Sequence, residues 1–90
     1  MSVNVHIHTT HRQLTNGLKV VAVEGRTVGE CLNHLINQFP GMREALFAKK
    51  DKLLNTVEIL LNHISAYPNE LVKSVKDGDE IHIVLMLAGG

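Results

Sequence analysis

The sequence predicts one α+β domain over residues 1–90: a mixed sheet of four or five strands with one main helix packed on one face. Three observations predict it. The chain opens on strict alternation of apolar and polar residues, carries one capped amphipathic helix, and closes on a strand that is apolar on both sides.

In Val3-Asn4-Val5-His6-Ile7-His8 the apolar side chains point one way and Asn4, His6 and His8 the other, the pattern of a half-buried strand. Asn16-Gly17 is a turn signal, since both residues tolerate positive φ. Residues 18–23 read as a second strand, joined to the first through a loose polar loop over residues 9–15. Thr27-Val28-Gly29-Glu30 has the capping-box form: Thr27 accepts from the backbone of Glu30, and Glu30 reaches back to Thr27. Val28, Cys31, Leu32, Leu35, Ile36 and Phe39 then recur at steps of three and four, one apolar stripe ended by Pro40-Gly41. Residues 42–47 add a short helical turn, and residues 48–53 a charged surface loop.

Residues 56–61 read as a third strand, with Val57, Ile59 and Leu61 on one face and Glu58 and Leu60 on the other. Asn62-His63 is a turn, residues 64–67 a short edge strand, Asn69 the cap of a brief helix through Lys73, and Asp77-Gly78-Asp79 another turn. In the closing strand, residues 80–87, Ile81, Ile83, Leu85 and Leu87 form one face, while Val84 and Met86 make the other apolar too. Such a strand belongs in the middle of a sheet, where its edges are paired. The order ββαβ(β)β makes the first and last strands parallel neighbours. One helix covers one face, so His6, His8, Leu60, His82, Val84 and Met86 lie on an open one.

Composition narrows the function. Net charge is zero, with nine basic and nine acidic residues, and the densest basic stretch, Lys49-Lys50 and Lys52, is interrupted by Asp51. Phosphate backbones need clustered cations, so nucleic acid is excluded as the expected partner; 3% aromatic content removes base-stacking platforms as well. The single Cys31 makes no internal disulfide and no cysteine-rich metal site. No signal peptide is visible at the N-terminus, and the longest apolar run, residues 83–88, is far below the roughly 20 residues of a membrane span. A cytoplasmic protein without membrane contact is expected.

The chain ends Leu87-Ala88-Gly89-Gly90. A buried strand running into residues 88–90 launches a flexible arm that has no side chains at its end. Such an arm fits a narrow channel and adopts conformations closed to other residues. That suits chemistry performed on the terminal carboxylate by another enzyme.

At these residues the chain resembles the ubiquitin-like sulfur carriers of the MoaD/ThiS/CysO kind, β-grasp proteins, over its whole length. The matching stretches are Thr27-Val28-Gly29-Glu30, the Phe39-Pro40-Gly41-Met42-Arg43-Glu44-Ala45-Leu46 segment, Val57-Glu58-Ile59-Leu60-Leu61-Asn62, Lys76-Asp77-Gly78-Asp79-Glu80-Ile81 and Leu87-Ala88-Gly89-Gly90. Many molybdopterin-type members carry Pro-Pro where this chain has Leu85-Met86, and Asn-Gly where it has Asn62-His63. These departures fit a carrier for another sulfur pathway better than the small subunit of molybdopterin synthase.

The resemblance implies that an E1-like partner uses ATP and magnesium to adenylate the Gly90 carboxylate. A sulfur donor then converts it to a thiocarboxylate, which a sulfur-accepting biosynthetic enzyme consumes. The chain is then a protein co-substrate rather than a catalyst and holds no cofactor of its own. Some members carry residues beyond the Gly-Gly that a metalloprotease removes. A ubiquitin-like modifier, joined through Gly90 to target lysines, uses the same activation and is the alternative. A plain interaction module with an incidental Gly-Gly end is a third.

Leu60, Val84 and Met86, with His82 among them, read as a partner-docking patch; the plainer reading is a second small core under loops or a dimer partner. His6, His8 and His82 have the residue type and i, i+2 spacing of a zinc or copper site, but solvated surface histidines explain them as well, and no metal is expected. Cys31, on the helix stripe, reads as a small buried hydrophobe. Asp77 and Asp79 are turn residues that could meet basic groups of a partner.

Overall fold

The structure is a computed structural model that describes residues 2–86. Seven strands and two α-helices follow in order: β1 (Ser2–His6), β2 (Val20–Glu24), α1 (Val28–Gln38), α2 (Met42–Leu46), β3 (Phe47–Lys49), β4 (Lys52–Leu53), β5 (Val57–Leu61), β6 (Ile64–Ser65) and β7 (Glu80–Leu85). The main sheet has five strands in the order β2-β1-β7-β5-β6. Only β1 and β7 run parallel, pairing Asn4 with Glu80, Val5 with Ile81 and His6 with His82. β7 pairs antiparallel with β5 on its other side, so the strand apolar on both sides is central, as its pattern requires.

Alternation sorts the strands onto two faces. Val3, Val5, Val21, Val23, Val57, Ile59, Ile81 and Ile83 are all buried under α1, whose Val28, Cys31, Leu32, Leu35 and Ile36 meet them. Each such aliphatic side chain contributes about 1.5–3 kcal/mol through burial. Leu61 and Leu85 follow the same face but are half-buried at its margin, and Leu87 lies outside the described residues. Edge strand β2 is blunted by the helix: the Nδ1 atom of His34 accepts from the Glu24 N–H at 2.7 Å, and the Gln38 amide donates to the Ala22 carbonyl at 3.4 Å.

Several local readings change. The loose loop over residues 9–15 is a 3-10 helix, Thr9–Thr15, because its backbone finds local partners. His8 Nδ1 accepts from the Thr10 N–H, Arg12 Nε donates to the Ile7 carbonyl at 3.1 Å, and buried Thr15 places its hydroxyl by the Arg12 and Leu18 carbonyls. Asn16 and Gly17, at φ 56 and 82, make the expected turn, and β2 begins at Val20 rather than Leu18. Thr27 accepts from the Glu30 N–H at 3.1 Å, but Glu30 reaches back one residue further, to the Arg26 N–H at 2.8 Å. The charged loop over residues 48–53 belongs to a small hairpin, β3 against β4, turning at Asp51 with φ 57. The short edge strand stops at Ser65, and Asn69 precedes a 3-10 turn, Glu70–Val72, without a side-chain cap bond. β7 ends at Leu85, with Met86 beyond it.

The Asp77-Gly78-Asp79 turn is tied to the start and the middle of the chain. Asp77 accepts from the Ser2 N–H at 2.9 Å, Gly78 donates to the Ser2 carbonyl at 2.8 Å, and Asp79 accepts from the Lys76 N–H and from Asn62 Nδ2. Gly78 sits at φ 88, in the region that favours glycine. Asn62 returns a bond by accepting from the Glu80 N–H at 3.0 Å. Asp79 is buried and engaged internally, so it is not the contact for a partner's cations that its turn position suggested. The Lys76 N–H first, then Asn62, hold its carboxyl below the usual carboxylate range.

Candidate functional site: the open sheet face

Opposite α1, the register sets one row across the whole sheet. Val20 pairs with His6, His6 with His82, His82 with Leu60, and Leu60 with Ser65. Beside it Val84 pairs with Glu58, and Met86 follows at the end of β7. Leu60 and Val84 are half-buried and Met86 is 45% exposed. The expected patch of Leu60, Val84, Met86 and His82 is therefore contiguous on one face. Val20, 41% exposed, extends it on β2. Its place in the alternation of β2 would have shown it. No loop covers this row through a buried second core: the buried hydrophobics of the described residues belong to the helix-side cluster.

The histidines assemble differently from the sequence expectation. His6 and His82 stack, ring centroids 3.9 Å apart and 8° from parallel. The third imidazole is His63, 4.7 Å from His82. His8 lies past the end of β1, caps the 3-10 helix and meets His11 edge-on at 6.2 Å. A metal site on His6, His8 and His82 is thus not formed, and among the described residues no group of three or more His, Cys, Asp or Glu side chains is placed to hold a metal. His63 escaped sequence reading because Asn62 and His63 both sit at positive φ, 52 and 69, which turns its ring back over the sheet.

The stack has a carboxylate at one end. Glu80 is paired with His6 Nε2 and accepts from Asn4 Nδ2 at 3.1 Å. Those two hydrogen bonds, His6 first, hold the Glu80 carboxyl below its ordinary value. His82 has a buried Nδ1 with no hydrogen-bond partner. Burial, then the neighbouring charges of His6 and His63, push its imidazolium down from the ordinary value. His82 is thereby held toward its neutral form, while the ionised Glu80 carboxylate flanks the stack at His6 and Glu58 lies opposite Val84.

Cys31 is fully buried on α1, and burial followed by the Glu30 charge pushes its thiol up, away from reactivity. No helix among the described residues is long and apolar enough to cross a membrane. Ala88, Gly89 and Gly90, the expected site of activation, lie outside the described residues.

The model of the ThiS family matches residues 5–90, and so includes both the open-face residues and the terminal glycines. The chain is 32% identical to the sulfur carrier protein CysO of Mycobacterium tuberculosis across the whole of both chains. A chain of the BexX/CysO complex of Amycolatopsis orientalis superposes with a TM-score of 0.86 at 31% identity, covering 98% of this chain and 99% of that one. Small archaeal modifier protein 1 of Methanosarcina acetivorans gives 0.85 at 26% identity, covering 99% and 96%. The chain belongs to the ThiS family and is a ubiquitin-like β-grasp protein of the sulfur-carrier kind.

Proposed function

We propose that this chain carries sulfur as a thiocarboxylate on Gly90. The observation that supports the reading most is that the ThiS-family match runs through residue 90, with central strand β7 ending two residues before Leu87. A carboxylate is a poor electrophile because its charge is delocalised. An E1-like enzyme with ATP and magnesium overcomes this: a Gly90 carboxylate oxygen attacks the α-phosphorus, pyrophosphate leaves, and an acyl adenylate forms. Hydrosulfide then attacks the carbonyl carbon, AMP departs with the bonding pair, and the S–H proton passes to solvent. The resulting thiocarboxylate is ionised at neutral pH and nucleophilic through sulfur.

Within this chain no side chain acts as acid or base. Its contribution is presentation. Leu60, Val84 and Met86, with His82, form the docking surface for the activating enzyme and for a cytoplasmic sulfur-accepting biosynthetic enzyme. Such a face sets aliphatic side chains beside a polar stack, and recognition surfaces combine apolar and polar contacts in this way.

The test uses the peptide that trypsin releases after Lys76, residues 77–90. It contains no cysteine, so a thiol-alkylating reagent labels it only through a Gly90 thiocarboxylate. Mass alone does not suffice, because oxidation of Met86 adds almost the same mass as exchange of oxygen for sulfur. ATP-dependent alkylation after incubation with an E1-like enzyme and sulfide is the expected result; its absence overturns the reading. The likeness to the archaeal modifier protein favours one second reading, conjugation through Gly90 to lysines. Isopeptide-linked Gly90 without any alkylatable form would establish it.

A further inference from the structure

The three most exposed large hydrophobic side chains among the described residues, Ile64, Tyr67 and Val72, each 73% exposed, fall within one nine-residue stretch. Tyr67 and Val72 stand on the wall of a groove of about 960 Å3 between the N-terminal half of α1, the β3–β4 hairpin and residues 67–72. Phe47, Leu53, Leu54 and Leu71, all half-buried, make the groove apolar inside. Its volume is that of a typical binding cleft. The charged residues that line it are Glu30, Asp51, Glu58 and Glu70 against a single Lys52. A neutral chain thus has a locally acidic trough. The groove also reaches Met86, at the root of the tail.

We propose that this groove is a second docking surface, separate from the centre of the open face, for a segment of a partner protein that presents apolar side chains flanked by arginine or lysine. Tyr67 and Val72 grip the apolar side chains, as exposed aromatic and aliphatic anchors do at recognition sites. The carboxylates select the flanking charge. A second copy of the chain is the poorer occupant, because a two-fold contact would set Glu58 and Glu70 against their own equivalents. Since the groove is lined by Met86, a partner seated in it also meets the last described residue of the chain. The proposal does not depend on sulfur chemistry at Gly90.

The test titrates the full-length, isotope-labelled chain with a short synthetic peptide bearing two leucines three positions apart and flanked by arginines. The same peptide flanked by glutamates serves as the comparison. The expected result is saturable shifts of the backbone amides of residues 53–54 and 67–72. Affinity should be at least about tenfold higher for the arginine-flanked peptide. Tyr67→Ser with Val72→Ser should weaken binding at least about tenfold, and Glu70→Lys should remove the preference for arginine. These side chains are exposed or at the rim, so circular dichroism should show the fold unchanged. Equal binding of the two peptides, shifts centred on Leu60 and His82 instead, or no saturable shift with either peptide would each overturn the proposal. Failure of the alkylation experiment would leave it standing, and the reverse also holds.

Discussion

The two faces of the sheet are built from the same strands yet obey different constraints. On the helix side, Val5, Ile59 and Ile81 are completely buried within one apolar cluster. One residue away along each strand, His6, Leu60 and His82 lie on a face where three imidazoles, a carboxylate and several aliphatic side chains are packed without an enclosing layer. The first face accounts for stability. The second has no covering layer, and it is the face that the proposed function assigns to partners.

The difference can be broken by mutation. The largest effect belongs to the closed face: Ile81→Ala leaves a cavity beneath α1 and should cost about 2–5 kcal/mol in denaturant unfolding. Val84→Lys, on the same strand but the open face, should keep stability within about 1 kcal/mol and weaken binding to an E1-like partner at least about tenfold, read by calorimetry. If Val84→Lys instead unfolds the chain, the two faces are not energetically distinct. Thr27→Ala removes the cap that starts α1 and should cost about 1 kcal/mol in unfolding, while affinity for an E1-like partner at the open face stays unchanged.

The smallest effect is a pH dependence. The folded state holds the His82 imidazolium below its ordinary value of 6.5, so below that pH the unfolded chain binds the extra proton first. The His82 contribution is therefore fully present above about pH 6.5 and is lost as pH falls through the folded value. Asp79 and Glu80, also lowered, act in the same direction but only in more acidic solution, near their ordinary values of 3.8 and 4.5. His82→Phe should make the stability curve shallower just below pH 6.5, where buried His11, also lowered, still contributes, while leaving the more acidic limb in place. An unchanged curve would show that the stacked imidazoles are not coupled to folding.

What could be read in the sequence was whatever rests on a period or a fixed local motif. Alternation placed Val57, Ile59, Ile81 and Ile83 inside, the helical stripe placed Leu32 and Leu35, and double-sided apolarity put β7 in the centre. Leu60 and Val84, proposed above as docking residues, followed as the remainder of that pattern. The 3-10 helix at Thr9–Thr15 was hidden because it arises from single hydrogen bonds by His8, Arg12 and Thr15, which no period reports. The β3–β4 hairpin was masked by its lysines, since an exposed two-sided strand has no alternation to show. His63 joined the stack through backbone dihedrals of its turn, and the groove walled by Tyr67 and Val72 through the meeting of segments far apart in the chain.

The position of β7 also governs how the molecule comes into being. It is the seam between two hairpins, β1–β2 and β5–β6, that touch in the sheet only through it. During synthesis the first hairpin and α1 emerge early but have no β7 to complete their sheet until residues 80–85 leave the ribosome. Pairing across such a separation is slow to form, and an unfinished sheet exposes unpaired strands. A nascent chain therefore remains recognisable to chaperones and proteases until residues 80–85 have emerged. Only a chain translated past Leu85 can close its core, so native folding certifies that the strand supporting the tail has been made.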